Sequence, residues 1–107
     1  MDNEEFKPIS YLHLDFKNRL ETYRNWPAYH HPRSLDLAKA GFYYTNFSDH
    51  CKCFYCGIVL GDWSPRDSAW KEHALHSPHC LYVKMYYFDA IIDLPLYAIL
   101  PSHIKRR

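Results

Sequence analysis

Cys53-Phe54-Tyr55-Cys56-Gly57 carries two thiols around a tight turn; His73 follows Cys56 after sixteen residues, and Cys80 follows His73 after six more. A Cys-x-x-Cys turn presents two thiolates to one cation, and a histidine from a helix with a cysteine just past it completes a tetrahedral set. Zinc suits soft thiolates plus imidazole, and four protein ligands leave no open position for catalysis. Cys53, Cys56, His73 and Cys80 are therefore expected to hold one structural zinc ion whose binding energy is folding energy. The alternative, free or disulfide-paired cysteines, is disfavoured by the ligand spacing and by the reducing compartment argued below. Cys51 shares a strand face with Cys53 and reads as a small buried hydrophobe, with an alternative ligand role second. His76, one helical turn from His73, and His79 flank the set as competitors.

Outward from this knuckle, residues 51–54 and 58–60 read as two strands joined by the Cys56-Gly57 turn, and 61–65 breaks the second. Aromatic, β-prone residues 42–45 make a further strand, followed by turn chemistry at Asn46-Phe47-Ser48-Asp49. On the N-terminal side, Leu12, Phe16, Leu20 and Tyr23 repeat at helical spacing, so a helix is expected over 12–23, ended by Trp26-Pro27. Ser34 as N-cap and Gly41 as terminator bracket a short helix. After the sheet, a helix is expected from Asp67 or Ser68 to about His76, stopped by Pro78, and a last one over 81–92. The fold class is α+β: a small zinc-stapled domain with a short three-stranded antiparallel sheet surrounded by several helices. The chain divides into an N-terminal arm (1–11), the zinc domain (12–89) and an apolar C-terminal tail (90–107).

With 107 residues there is room for one domain. A domain this small buries only about two-thirds of its unfolded surface and benefits from a staple. Thirteen basic against twelve acidic side chains leave a net charge of +1, which gives no electrostatic reason to expect nucleic acid as a partner. Lys105-Arg106-Arg107 reads as a solvated terminus. The acidic start, Met1-Asp2-Asn3-Glu4-Glu5, does not read as a secretory signal. The apolar stretch 90–100 is interrupted by Asp93 and Pro95 and falls short of the roughly 20 residues a membrane span needs. The expected setting is reducing and cytoplasmic, with no membrane partner.

The chain resembles the baculoviral IAP repeat, the BIR domain of inhibitor-of-apoptosis proteins. The likeness is carried by Arg19-Leu20-Glu21-Thr22-Tyr23, Trp26-Pro27, Leu37-Ala38-Lys39-Ala40-Gly41-Phe42-Tyr43-Tyr44-Thr45 and Cys53-Phe54-Tyr55-Cys56-Gly57. Leu60, Trp63, Asp67, Trp70, Glu72-His73, Pro78 and Cys80 continue it, so that it covers residues 16–83. It implies that Arg19 is structural and that Gly41 serves backbone geometry. Asn46 stands where the family usually has glycine, a tolerable change because asparagine visits left-handed backbone. Ser68-Ala69 replaces a common Asp-Pro pair and removes a negative charge, while Arg66 adds a positive one.

The resemblance also implies a peptide groove for N-termini that begin with alanine. Asp67 is the acid matched to the ligand ammonium, with Glu72 beside it. Leu60 and Trp63 would wall a pocket sized for a methyl group. The β-strand edge at Val59, Leu60 and Gly61 would pair with the ligand backbone, which is β-augmentation joined to amine capture. His76 would face the third ligand residue, where many relatives have tryptophan and survivin-like members have histidine. Each residue also has a plainer role: core for Trp63 and above all Trp70, helix capping for Asp67, a solvated helix position for Glu72.

The implied function is a non-enzymatic anti-apoptotic module that binds pro-apoptotic proteins or caspases through their N-terminal alanine motif. A survivin-like reader of a histone N-terminus in cell division is the second reading. A BIR with an occluded groove, acting through other faces or as a dimerisation module, is the third. No nucleophile–base pair or open metal position points to an enzyme. The tail is apolar enough to pack back on the domain, and a homodimer through it is the alternative.

Overall fold

Alternation builds the sheet. In β1 (Phe42–Tyr44) and β2 (Cys51–Cys53) the first and third residues are buried and the middle one is half-buried, the period-2 signature of a strand with one face on the core. β3 (Val59–Leu60) adds an exposed valine and a buried leucine. The three strands pair antiparallel in the order β1-β2-β3, with Phe42 opposite Cys53 and Cys51 opposite Leu60. The computed structural model describes residues 6–27, 29 and 31–91, the side chains of 88–91 aside. Each strand is shorter than the sequence suggests. Phe54 has already left β2's pairing with β3 and sends its N–H to Gly41 O, because the chain must curl there to bring both thiols inward.

Among the described residues, four α-helices surround the sheet. α1 (Phe16–Glu21) starts later than the expected residue 12, because Asp15 is its N-cap and accepts from the Lys17 N–H at 3.2 Å. Residues Thr22–Asn25 continue as a 3-10 turn, pinned where the Thr22 hydroxyl donates to Arg19 O and accepts from the Tyr44 N–H. α2 (Ser34–Lys39) corrects the expected serine cap: Arg33 holds the N-cap position and Ser34 is already helical. The Arg33 guanidinium instead reaches Asp36 with two contacts of 3.1 Å. α3 (Ala69–His76) is capped by Ser68, whose hydroxyl accepts from the Lys71 N–H, and not by Asp67, which accepts from the Ser64 N–H instead. α4 (Leu81–Ile91) follows. Gly41 turns from α2 into β1 at φ 100°, and a Cβ there would fall 3.0 Å from the Tyr82 ring, so both backbone and space require glycine.

Leu37, Phe42, Phe54 and Trp63 are buried in the middle of these elements, each fully buried side chain of this size being worth about 1.5–3 kcal/mol. The cation among them is Arg19. Its guanidinium donates to Ala38 O, His13 O, Leu14 O and Tyr82 Oη, and its carbon lies 4.8 Å from the Phe54 ring centre. Burial lowers its pKa, and among the described residues its donors meet three backbone carbonyls and no carboxylate. Arg19 thus ties α1, α2 and α4 together, the structural role the resemblance implies.

Residues 6–10 lie against the knuckle. The Ile9 and Ser10 N–H groups donate to Tyr55 O and Phe54 O, and the Phe6 and Tyr55 rings are 5.1 Å apart. No helix among the described residues is long and apolar enough to cross a membrane. The tail expected to pack or self-associate lies, from residue 92 onward, outside the described residues.

Candidate functional site

Four donors converge below the β2–β3 turn. Cys53 ends β2 and Cys56 sits in the turn; His73 projects from α3, and Cys80 immediately precedes α4. Their ligand atoms all lie within 4.8 Å of one another. Donors about 2.3 Å from one tetrahedral ion stand about 3.8 Å apart; Cys53 Sγ and Cys80 Sγ are 4.0 Å apart, and Cys56 Sγ and His73 Nε2 are 3.6 Å apart. The donor set and its size therefore suit a zinc ion.

The surrounding groups orient the donors. His73 Nδ1 faces Ala40 O at 2.7 Å, which leaves Nε2 to the cluster. The Tyr55 and Cys56 N–H groups point at Cys53 Sγ, and the Ser77 hydroxyl donates to Cys56 Sγ at 3.3 Å. These donors favour thiolate. Hydrogen bonds from the Cys53 and Cys80 thiols hold Cys56 far below the usual thiol range, and the same sharing pushes Cys53 far above it. Burial lowers His73, but Cys56 and Cys80 outweigh it and raise the imidazole to about 9. The cluster attracts positive charge. Cys51 is buried in the core and lies outside the four-donor group, as do His76 and His79.

The residues read as a peptide groove fall into three sets. The first is the edge of β3, which has no neighbour on its outer side among the described residues. The Cys53 N–H donates to Ile58 O, so by alternation Val59, opposite Lys52, belongs to a non-hydrogen-bonded pair. Its N–H and C=O point away from β2, and Gly61, two residues on, continues that phase. The second set is Leu60 and Trp63, both buried in the core cluster, with the indole N–H donating to Leu60 O at 3.2 Å. The third comes from the approach to α3 and the helix itself. Asp67 accepts from the Ser64 N–H at 2.9 Å and lines a recess of about 330 Å³ with Asp36, Lys39, Arg66 and Trp70. Glu72 is neither solvated nor on the rim: it is 0% exposed, with Oε1 3.5 Å from His76 Nε2. Trp70 is half-buried and stacks on Tyr82 at 5.3 Å.

Asp49 escaped the sequence reading, which assigned it to a turn. Its carboxylate accepts from the Asp62 and Trp63 N–H groups, at 2.9 Å each, and faces His31 Nε2 at 3.3 Å. Burial pushes this carboxyl up, but the two amides and His31 outweigh it and hold it below the usual carboxylate value. Only an acid in a turn two residues before a strand could have signalled it, and that signal also fits plain turn chemistry.

A family model of the Inhibitor of Apoptosis domain, BIR, matches residues 19–84. The chain belongs to the BIR family. Among curated proteins, the E3 ubiquitin-protein ligase XIAP of Rattus norvegicus is 49% identical over 65 residues, which is 61% of this chain and 13% of the ligase. The putative apoptosis inhibitor ORF99 of Ostreid herpesvirus 1 is 41% identical over 70 residues, 65% of this chain and 28% of the viral protein. Among solved structures, the DIAP1 BIR1 domain bound to a Grim peptide superposes with a TM-score of 0.59 at 36% identity, covering 63% of this chain and 68% of that one. The chain thus corresponds to a small part of these curated relatives, and the ligase activity in one of their names belongs to a protein of which it spans 13%.

Proposed function

We propose that this BIR module, stapled by one zinc ion on Cys53, Cys56, His73 and Cys80, captures alanine-starting N-terminal peptides and thereby suppresses apoptosis. The ligands are pro-apoptotic proteins or processed caspases, and the module has no catalytic step of its own. The observation that carries this reading is the free edge of β3, where Val59 aims both peptide groups outward next to buried Leu60 and Trp63. Two comparisons support it: relatives that bear the name of apoptosis inhibitors, and a similar domain solved with a Grim peptide.

The zinc ion supplies folding energy and fixes the knuckle from which β3 emerges. Val59 and Gly61 pair with the ligand backbone. Leu60 and Trp63 close around the alanine methyl, and Asp67 receives the ammonium. Glu72 holds His76 toward the third ligand residue. Clustered thiolate ligands suit a reducing, cytoplasmic setting. A survivin-like reading keeps the groove and changes the ligand to a histone N-terminus; His76, set against Glu72, is what favours it.

Amide spectra of the ¹⁵N-labelled, zinc-loaded protein test the proposal during titration with an alanine-starting tetrapeptide. Shifts should concentrate at Val59, Gly61 and Trp63. Shifts confined to other faces, or none, would refute the groove.

A further inference from the structure

Three described non-glycine residues hold left-handed backbone, and all three fall in the two turns at one end of the sheet. Asn46 and Ser48 (φ 65° and 53°) are in the β1–β2 turn, and Asp62 (φ 58°) follows β3. Ser48 and Asp62 line a recess of about 460 Å³ together with Pro27, His31, Asp49 and His50. Strained backbone of this kind persists only where its surroundings over-determine it. Here the determinant is visible: Asp49 Oδ1 takes the Asp62 N–H and Oδ2 takes the Trp63 N–H, both at 2.9 Å. Charge-assisted bonds to two consecutive amides fix a turn more firmly than neutral ones.

Asp49 is itself held. His31 Nε2 stands 3.3 Å from Oδ2, and His31 Nδ1 stands 2.8 Å from Tyr29 O. Both ring nitrogens thus face oxygen atoms, which fixes the orientation of the ring. The ring also meets Trp26 edge-on at 5.2 Å, and the Trp26 indole donates to Pro32 O. Behind the turn there is no slack. A Cβ at Gly61 would lie 2.6 Å from His50 Cδ2 and 3.1 Å from Asp49 Oδ1.

We infer that Asp49, backed by His31, is a positioning residue for the peptide groove: it sets the 61–63 turn so that the Gly61 backbone and the Trp63 ring stand where an alanine-starting peptide meets them. Neither side chain belongs to the residues read as touching the peptide. The consequence for binding rests on the proposed function; the latch itself does not.

The test uses two variants of the zinc-loaded protein and two readouts. Asp49→Asn keeps the shape but sets an amide donor against one of the two backbone N–H groups. His31→Gln changes a half-exposed ring and keeps Asp49 intact. In His31→Gln, hydrogen exchange at the Asp62 and Trp63 amides should accelerate about tenfold while the β1–β2 amides stay protected. Asp49→Asn should lose that protection outright. Affinity for an alanine-starting tetrapeptide should fall about threefold and about thirtyfold in turn, with zinc content unchanged. Should Asp49→Asn fail to fold, His31→Gln decides alone. Wild-type exchange rates at Asp62 and Trp63 in His31→Gln would overturn the inference whether or not the peptide binds. Accelerated exchange in a protein whose wild type binds no such peptide would contradict the proposed function and leave the latch standing.

Discussion

The metal cluster and the β3 edge are built by opposite means. The cluster is closed: four donors from β2, its turn, α3 and the start of α4 face inward, three of them buried, and each makes at least one contact to another donor or an orienting group. The edge is open: Val59 is 47% exposed and its peptide groups meet no strand among the described residues. Yet the open edge depends on buried residues behind it, Leu60, Trp63 and Glu72. A closed site can be specified by residue identity and spacing. An open one is specified by what holds its back.

That contrast breaks first at the metal. Chelation, or Cys53→Ser, should abolish cooperative unfolding, since a structural zinc site is worth on the order of 10 kcal/mol; thermal melts followed by circular dichroism with and without chelator check this. A metal-free chain that still melted cooperatively would show the cluster to be dispensable. A further effect lies away from both regions. Arg19→Met would remove the side-chain donor that joins the Ala38, His13 and Leu14 carbonyls, of which Ala38 O keeps the Gly41 N–H, and should cost about 2 kcal/mol in urea unfolding.

Within β3 the two residues should separate. Leu60→Ala removes a core side chain and should cost about 2–5 kcal/mol. Val59→Pro removes only an outward N–H and should cost about 1 kcal/mol or less, while weakening peptide binding at least tenfold (about 1.4 kcal/mol). Equal stability losses for the two would mean that the edge is not free.

The smallest effect is on acid stability. Asp49 has a folded pKa depressed below its unfolded value near 3.8. Its stabilisation is therefore full above that unfolded value and is lost as pH falls through the lower, folded one. The margin of wild type over Asp49→Asn should therefore stay level across about pH 6–8 and narrow only as acid reaches Asp49, read as urea midpoints at pH values where the thiolates keep their zinc.

Much of this was legible in the residues. Cys53, Cys56, His73 and Cys80 announce their cluster by spacing, because a metal dictates ligand type and reach. Gly41 announces its turn, and Pro78 the stop of α3, by local backbone chemistry, and the three strands show in aromatic and alternating residues. What stayed hidden depended on partners distant in sequence. Asp15 rather than residue 12 begins α1, since Leu12 is 68% exposed and gives no core face to extend the helix. Ser34 is displaced from its cap by Arg33. Glu72 reads as a surface acid from its helix position, and only the fold buries it beside His76. Asp49 reads as a turn residue until Asp62 and Trp63 arrive from thirteen and fourteen residues away.

The most direct measurement is calorimetric titration of the zinc-loaded protein with an alanine-starting peptide and, in parallel, its N-acetylated copy. Amine capture at the β3 edge predicts micromolar or tighter binding of the free peptide, lost on acetylation and on Asp67→Ala. Equal affinity for both peptides, or no binding by the folded, zinc-loaded domain, would contradict it.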